Sequence, residues 1–86
     1  MIDYGIKDEI ALVLGGTGGL GLACARALAA AGARVLVNGR DAERGRAAVA
    51  TLGSDAAYVP GDVAQSGDRA RILVEAQRRG PVSILV

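Results

Sequence analysis

The stretch "GGTGGLG", residues 15–21, contains five glycines in seven positions and lies between an apolar run, "IALVL", and an alanine-rich run, "LACARALAAAG". One interpretation is a flexible linker, although linkers are usually polar and join separate domains. The other is that the backbone passes so close to another group that a side chain would not fit. The flanking segments favour the second interpretation, because both are typical of elements inside one domain.

Four short apolar runs predict buried β-strands. They cover residues 10–14, 33–38, 56–59 and 83–86. The segments between them show the spacing of helices, and this alternation predicts a parallel sheet with right-handed crossovers. The fold class is therefore a doubly wound α/β sheet. Residues 1–86 are expected to form one unit, with no internal linker, repeat or low-complexity segment.

Three helices are predicted between the strands. Asp41 and Ser66 are plausible N-caps of the second and third helices, while Gly32, Gly53 and Gly80 are placed to end the three helices in turn. The predicted inward-facing residues are Leu20, Cys24, Ala27, Leu28 and Ala31 in the first helix, Gly45, Val49 and Leu52 in the second, and Ile72, Leu73 and Ala76 in the third.

In this strand–turn–helix context the glycines have a specific use. Gly15 permits the tight turn, Gly19 lets the backbone approach a pyrophosphate, and Gly21 lets helix and strand pack closely. The helix N-terminus then offers unpaired N–H groups and a partial positive charge to the phosphates. No Gly-Lys-Ser/Thr follows, so the stretch is not a Walker loop.

Composition excludes several other classes of function. Ten basic residues, nine of them scattered arginines, balance nine acidic ones, so neither nucleic acid nor a membrane surface is a predicted partner. Cys24 is the single cysteine and there is no histidine, which predicts no intrachain disulfide and no metal site. Cys24 is expected to be a small core residue. The first ten residues carry acidic groups and lack an apolar signal-peptide core, so a cytoplasmic location is predicted.

The run "LVLGGTGGLGLACARALAAAGARVLVNGR" resembles the short-chain dehydrogenase/reductase family, with its T-G-x-x-x-G-x-G fingerprint. The likeness is to the N-terminal portion of the classical, 3-oxoacyl-carrier-protein-reductase-like type. Leu14 stands where that family usually has threonine. "GDV" at 61–63 and "GPVSILV" at 80–86 match the family at the expected intervals, so the resemblance covers the whole chain. It implies a Rossmann-type sheet with strand order 3-2-1-4.

The resemblance also implies a nicotinamide dinucleotide cofactor. An acidic residue that binds the ribose 2′-hydroxyl of NAD would fall at Gly39, where this chain has no side chain. Arg40 supplies a cation for a 2′-phosphate, and the family residue matching Thr17 often reaches that phosphate through a hydroxyl. NADP(H) is therefore favoured and NAD(H) remains possible. Alternatively, Arg40 is a solvated surface residue paired with Asp41 or Glu43.

Asp62 matches the family residue whose carboxylate accepts a hydrogen bond from the adenine amino group. Its alternative role is that of a turn residue after Pro60 and Gly61. The full set of predicted cofactor-binding residues is Gly15, Thr17, Gly18, Gly19, Leu20, Gly21, Asn38, Arg40, Asp62 and Val63.

The family's catalytic residues, a serine and a Tyr-x-x-x-Lys pair, have no counterpart here. Tyr4 and Lys7 are three residues apart, and Asp62 stands four after Tyr58, which is expected to be a half-buried strand residue. The chain is therefore expected to be the dinucleotide-binding part of a reductase truncated before its catalytic half, and inactive alone. Its fourth strand would be an exposed edge beside an apolar patch, which favours association, and a homo-oligomer is predicted.

Three hypotheses about function follow. In the first, the parent protein is an NADP(H)-dependent reductase that acts on a small carbonyl or alcohol by hydride transfer. In the second, the chain is a non-catalytic nucleotide-binding module. In the third, it is an inactive remnant whose glycines only permit packing. NADPH affinity of the 86-residue chain separates the second from the third, and the downstream reading frame separates the first from both.

Overall fold

The computed structural model describes residues 8–86, which form four strands and three helices in strict alternation. The strands are β1 (Ile10–Val13), β2 (Arg34–Gly39), β3 (Ala57–Pro60) and β4 (Val82–Leu85), and the helices are α1 (Gly19–Ala30), α2 (Ala42–Ala50) and α3 (Ser66–Gln77). Each predicted strand and helix is present, and the strand ends differ from the predicted ones by at most one residue.

The four strands form one parallel sheet in the order β3-β2-β1-β4. Val13 pairs with Val37 across β1 and β2, and Gly39 pairs with Pro60 across β2 and β3. Because the strands are parallel, the carboxyl ends of β1, β2 and β3 meet at one edge of the sheet. The predicted doubly wound sheet and its strand order are confirmed.

The two faces of the sheet bury separate apolar clusters, as a doubly wound fold requires. On one face, Ala25 of α1 and Ala48 of α2 pack against alternate residues of β1 and β2. On the other face, Ile72 and Ala76 of α3 pack against the remaining strand residues. Full burial of each valine, leucine or isoleucine in these clusters contributes roughly 1.5–3 kcal/mol to folding.

The inward face of α1 differs from the predicted one. Leu20 is 81% exposed and Ala27 is also exposed, whereas Ala25 is fully buried. The residues of α1 that pack on the core are Leu22, Leu28 and Ala29 together with Ala25. Alanines lie on every side of this helix, so the hydrophobic pattern does not identify the buried face. The prediction for Leu73 of α3 was also wrong, because this side chain is 43% exposed.

The helix ends are largely as predicted. Asp41 caps α2, because its Oδ1 accepts hydrogen bonds from the backbone N–H groups of Glu43 at 3.0 Å and Arg44 at 3.4 Å. Gly32 follows α1 with a φ of +101°, the left-handed conformation that a C′ glycine supplies. Ser66 was wrongly predicted as a cap, since α3 begins at Ser66 itself and its N-cap residue, Gln65, makes no side-chain capping bond.

The edge strand β4 borders an apolar groove on the α3 side of the sheet. The groove has a volume of about 120 Å³, and Leu14, Leu73 and Leu85 lie along it with at least a third of each side chain exposed. Among residues 8–86, β4 is thus an outer strand of the sheet with an apolar groove beside it. Leu14 was predicted to end β1, but the strand ends at Val13 and the turn begins at Leu14.

Candidate functional site

The turn between β1 and α1 depends on two glycines with left-handed backbone conformations. Gly15 has a φ of +68° and Gly19 a φ of +57°, and other residues at such angles cost roughly 1–2 kcal/mol. The turn is anchored to the sheet by a hydrogen bond of 2.9 Å from the Gly16 N–H to the Asn38 carbonyl oxygen. This geometry confirms the predicted tight turn at Gly15.

The last glycine of the turn, Gly21, packs against the turn itself. A Cβ on Gly21 would lie 2.3 Å from the Gly15 carbonyl oxygen and 3.2 Å from the Gly16 Cα. The group that approaches Gly21 is thus the backbone just after β1, rather than the strand as predicted. Contact with the strands is made at Gly16, where a Cβ would lie 3.1 Å from both Val13 and Val37. By contrast, the space beside Gly19 is open, because a Cβ added there would meet no other group within 4 Å.

A cleft of about 240 Å³ lies at the carboxyl ends of β1, β2 and β3. Ligands of open α/β sheets bind in the crevice outside the carboxyl ends of the strands. The residues that line it are Gly15, Thr17, Asn38, Gly39, Arg40, Asp41, Arg44, Gly61, Asp62 and Val63. Six of these belong to the predicted cofactor-binding set, namely Gly15, Thr17, Asn38, Arg40, Asp62 and Val63. The other four predicted residues, Gly18, Gly19, Leu20 and Gly21, form the N-cap and first turn of α1.

Asn38 holds the edge of the cleft together. Asn38 is 1% exposed, and its Nδ2 donates hydrogen bonds of 3.1 Å to the carbonyl oxygens of both Val59 and Gly61. The end of β2 is thereby joined to the end of β3. The sequence predicted Asn38 as a cofactor-binding residue. Its role in joining two strands was not predicted, because it depends on contacts 21 and 23 residues away along the chain.

Tyr58 supports the cleft from beneath α2. Its hydroxyl donates a hydrogen bond of 2.6 Å to the Gly39 carbonyl oxygen. Its partly buried ring packs against Gly45, where an added Cβ would lie 2.4 Å from the Tyr58 Cδ1 atom. The prediction of a half-buried strand residue is confirmed. The hydrogen bond fixes the backbone at the point where β2 enters the cleft.

Replacing Tyr58 with phenylalanine is expected to lower the free energy of unfolding by about 0.5–1.5 kcal/mol, because one partly buried hydrogen bond is lost while the ring still packs. Chemical denaturation of the full reading-frame product measures this change. Tyr58→Ala, which also removes the ring from Gly45, should destabilise clearly more than Tyr58→Phe. Equal losses for the two variants would contradict the packing described here.

Thr17 fills the space beside Gly39. A Cβ on Gly39 would lie 2.5 Å from the Thr17 methyl carbon and 3.0 Å from its hydroxyl oxygen. Any side chain at position 39, including the carboxylate that binds the ribose 2′-hydroxyl of NAD in many such folds, would displace Thr17.

Two arginines and two carboxylates border the cleft. The Asp41 carboxylate caps α2, and Asp62 Oδ1 accepts a hydrogen bond of 2.9 Å from the Ala64 N–H. Asp62 therefore does act as a turn residue, while its carboxylate also lines the cleft. Among residues 8–86, Arg40 forms no salt bridge, so the suggested ion pair with Asp41 or Glu43 is not formed. The second arginine, Arg44, was not predicted, because its position within a helix gave no signal of a site.

The start of α3 is tied to the same cleft. Asp68 Oδ2 accepts a hydrogen bond of 2.9 Å from the Asp62 N–H, and Arg69 Nη1 donates one of 2.8 Å to the Val63 carbonyl oxygen. These bonds hold the "GDV" loop against the start of α3.

The remaining sequence predictions concern metal ligands, membrane spans, Cys24 and the pair Tyr4 and Lys7. Within residues 8–86, His, Cys, Asp and Glu side chains form no group of three that could hold a metal ion. In the same residues, none of the helices has both the length and the apolar character needed to cross a bilayer. Cys24 is partly buried and has a free thiol. Tyr4 and Lys7 lie outside the described residues.

A family model described as short chain dehydrogenase matches residues 9–86, which is nearly the whole chain. The chain belongs to this family. The short-chain dehydrogenases bind a nicotinamide dinucleotide and act on a small molecule, and the glycine turn, the cleft and the sheet order fit such a cofactor. The predicted family is thereby confirmed.

Individual short-chain dehydrogenases show the same likeness. Dehydrogenase/reductase SDR family member 4 of Sus scrofa is 41% identical over 85 residues, which are 94% of this chain and 30% of that protein. The protein assigned as ketoacyl reductase 1 of the granaticin polyketide synthase of Streptomyces violaceoruber is 44% identical over 81 residues, 90% of this chain and 30% of that protein. A solved structure assigned as a betaketoacyl-ACP reductase superposes with a TM-score of 0.85 at 41% identity, covering 93% of this chain and 32% of that one.

The chain thus spans about a third of the length of the short-chain dehydrogenases that it matches. The matched third includes every residue that lines the cleft.

Proposed function

We propose that this chain is the dinucleotide-binding part of an NADP(H)-dependent short-chain reductase, which interconverts a carbonyl and an alcohol by hydride transfer. One observation carries the proposal. The glycine turn, Arg40 and Asp62, which are far apart in sequence, border one cleft at the carboxyl ends of three parallel strands. The names of the relatives, a ketoacyl reductase among them, support a carbonyl substrate for the parent protein.

The residues of the cleft fit the parts of the cofactor. The main-chain N–H groups at the start of α1 would bind the pyrophosphate, since no side chain fills the space beside Gly19. Asp62 would accept a hydrogen bond from the adenine amino group, with Val63 beside it in the cleft. Arg40 would bind the 2′-phosphate through its planar guanidinium group. When bound, the nicotinamide supplies or accepts the hydride, while the residues described here bind and orient the adenine half.

Two features of the cleft, at Arg40 and at Gly39, support the preference for NADP(H) over NAD(H). The exposed Arg40 guanidinium is not engaged by a carboxylate of the described residues. Residue 39 is glycine, with the Thr17 side chain beside it, so no carboxylate that would repel a 2′-phosphate stands there. Both features favour a doubly charged phosphate over a hydroxyl.

Replacing Arg40 with alanine is expected to weaken NADPH binding by about tenfold to hundredfold, because one charge-assisted hydrogen-bonding group is lost. NADH binding should change by less than about twofold, since NADH carries a hydroxyl at the 2′ position. Fluorescence titration of the full reading-frame product with each reduced cofactor measures both affinities.

Arg46→Ala is the matched control, because it also removes one positive charge but from a residue of α2 that does not line the cleft. It should leave both affinities unchanged. Equal losses of NADPH and NADH affinity in Arg40→Ala would contradict the assignment of the 2′-phosphate to Arg40. A wild-type protein that binds NADH more tightly than NADPH would contradict the proposed cofactor itself.

A further inference from the structure

Arg44 is the charged residue that links α2 to the glycine turn. It is the third residue of α2, and its side chain lines the cleft together with Arg40. Its guanidinium group lies across Gly18, where a Cβ would be 2.5 Å from Arg44 Nη2 and 3.6 Å from Arg44 Cζ. One arginine of α2 thus covers the residue that caps α1.

The backbone at Gly18 does not itself require glycine. Its φ of −169° and ψ of 172° are extended angles that any residue adopts. The close neighbour of a side chain at position 18 would be the Arg44 guanidinium and no backbone atom. The missing side chain at Gly18 therefore leaves room for Arg44 beside the turn.

We propose that Arg44 is a second cation for the 2′-phosphate of NADP(H), acting together with Arg40. The inference rests on the proposed function and adds a specificity-determining residue to it. Two guanidinium groups that border one cleft repel each other, and a phosphate of charge near −2 offsets that repulsion. Each planar group can donate two parallel hydrogen bonds to phosphate oxygens.

The position of Thr17 indicates that Arg44 would lie near the 2′ position of a bound adenosine ribose. Thr17 lies against Gly39, the position from which an acidic side chain would meet the ribose 2′-hydroxyl. Thr17 and Arg44 both border the cleft and also share a second groove, between α1 and α2. Arg44 therefore approaches the ribose from the α2 side, while the N–H groups of α1 remain for the pyrophosphate.

The nearby carboxylates leave Arg44 available for a phosphate. Asp41 is engaged with the backbone N–H groups of α2, and Asp62 with the Ala64 N–H. In the part of the chain that the structure describes, Arg44 forms no salt bridge. The side chain is exposed, so a ligand can reach it without unfolding any element.

The first test is Arg44→Ala in the full reading-frame product, titrated with NADPH, with NADH and with 2′,5′-ADP. NADPH and 2′,5′-ADP affinities should fall by about tenfold, the effect of losing one charge-assisted contact, while NADH affinity changes by less than about twofold. Arg44→Lys keeps the charge but not the planar fork, so it should recover part of the loss. Arg46→Ala, on the same helix but outside the cleft, should change none of the three affinities.

The second test couples Arg44 to Gly18. Gly18→Ala should displace the guanidinium and weaken NADPH binding selectively, as Arg44→Ala does. In the Arg44→Ala background the same Gly18→Ala change should have little further effect, because the clashing group is gone. Additive losses in the double variant would overturn the role given to this contact.

The outcomes separate this inference from the proposed function. A selective loss in Arg40→Ala with no loss in Arg44→Ala would overturn the role of Arg44 and leave the proposed function standing. Equal losses of NADPH and NADH affinity in Arg44→Ala would assign the side chain to the pyrophosphate or adenine and also overturn it. A protein in which neither arginine variant distinguishes the two cofactors would overturn both proposals.

Discussion

Replacing Gly21 with alanine is expected to lower affinity for NADPH by at least about 100-fold, the effect of losing two charge-assisted hydrogen bonds. The added Cβ would lie 2.3 Å from the Gly15 carbonyl oxygen, a distance that neither backbone segment tolerates without moving. Movement of the turn displaces the N–H groups at the start of α1 that would bind the pyrophosphate. NADH affinity should fall equally, because the pyrophosphate is common to both cofactors.

Stability and binding respond differently to this change. Alanine is a better helix former than glycine by roughly 1 kcal/mol, which partly offsets the steric cost of roughly 1–3 kcal/mol in the free energy of unfolding. The matched control is Gly67→Ala in α3, where a Cβ meets no atom within 4 Å. That variant should be slightly more stable than wild type and bind NADPH normally. A Gly21→Ala protein that binds NADPH within twofold of wild type would show that this turn does not hold the phosphates.

Replacing Asn38 with alanine is expected to lower the free energy of unfolding by about 2–4 kcal/mol, because two hydrogen bonds to buried or partly buried carbonyl oxygens are lost. Asn38 is 1% exposed, so water does not readily replace its Nδ2. Loss of the link to Val59 and Gly61 should also loosen the cleft edge and weaken binding of both cofactors by several-fold. Urea denaturation and NADPH titration of the same preparation measure the two effects.

Asn38→Asp is the informative second variant, since it keeps the size of the side chain but directs carboxylate oxygens at two carbonyl oxygens. At neutral pH it should be less stable than Asn38→Ala, because an unpaired charge is buried. Burial raises the pKa of the introduced carboxyl, so the variant should regain stability as the pH falls and the group becomes neutral. As a control, Thr51→Ala removes a hydrogen bond local to the end of α2 and should cost far less. Equal stability of Asn38→Asp and wild type at neutral pH would contradict the donor role of Nδ2.

Contacts between distant segments explain why some site residues were missed. Arg44 lies in an exposed part of α2, and only the packing of α2 beside α1 brings its guanidinium group to Gly18. Tyr58 likewise contributes through the Gly39 carbonyl oxygen, 19 residues away.

The sequence by itself determined the order of strands and helices, the glycine turn and the Asp41 cap, because these depend on local conformation and on the spacing of apolar residues along the chain. It also predicted most of the cleft, because the carboxyl ends of parallel strands must meet. Only the tertiary structure decided which face of the alanine-rich α1 is buried, what Gly21 touches and where the Arg44 side chain lies. Those features depend on how elements distant in sequence fit together in space, which periodicity along a single chain does not encode.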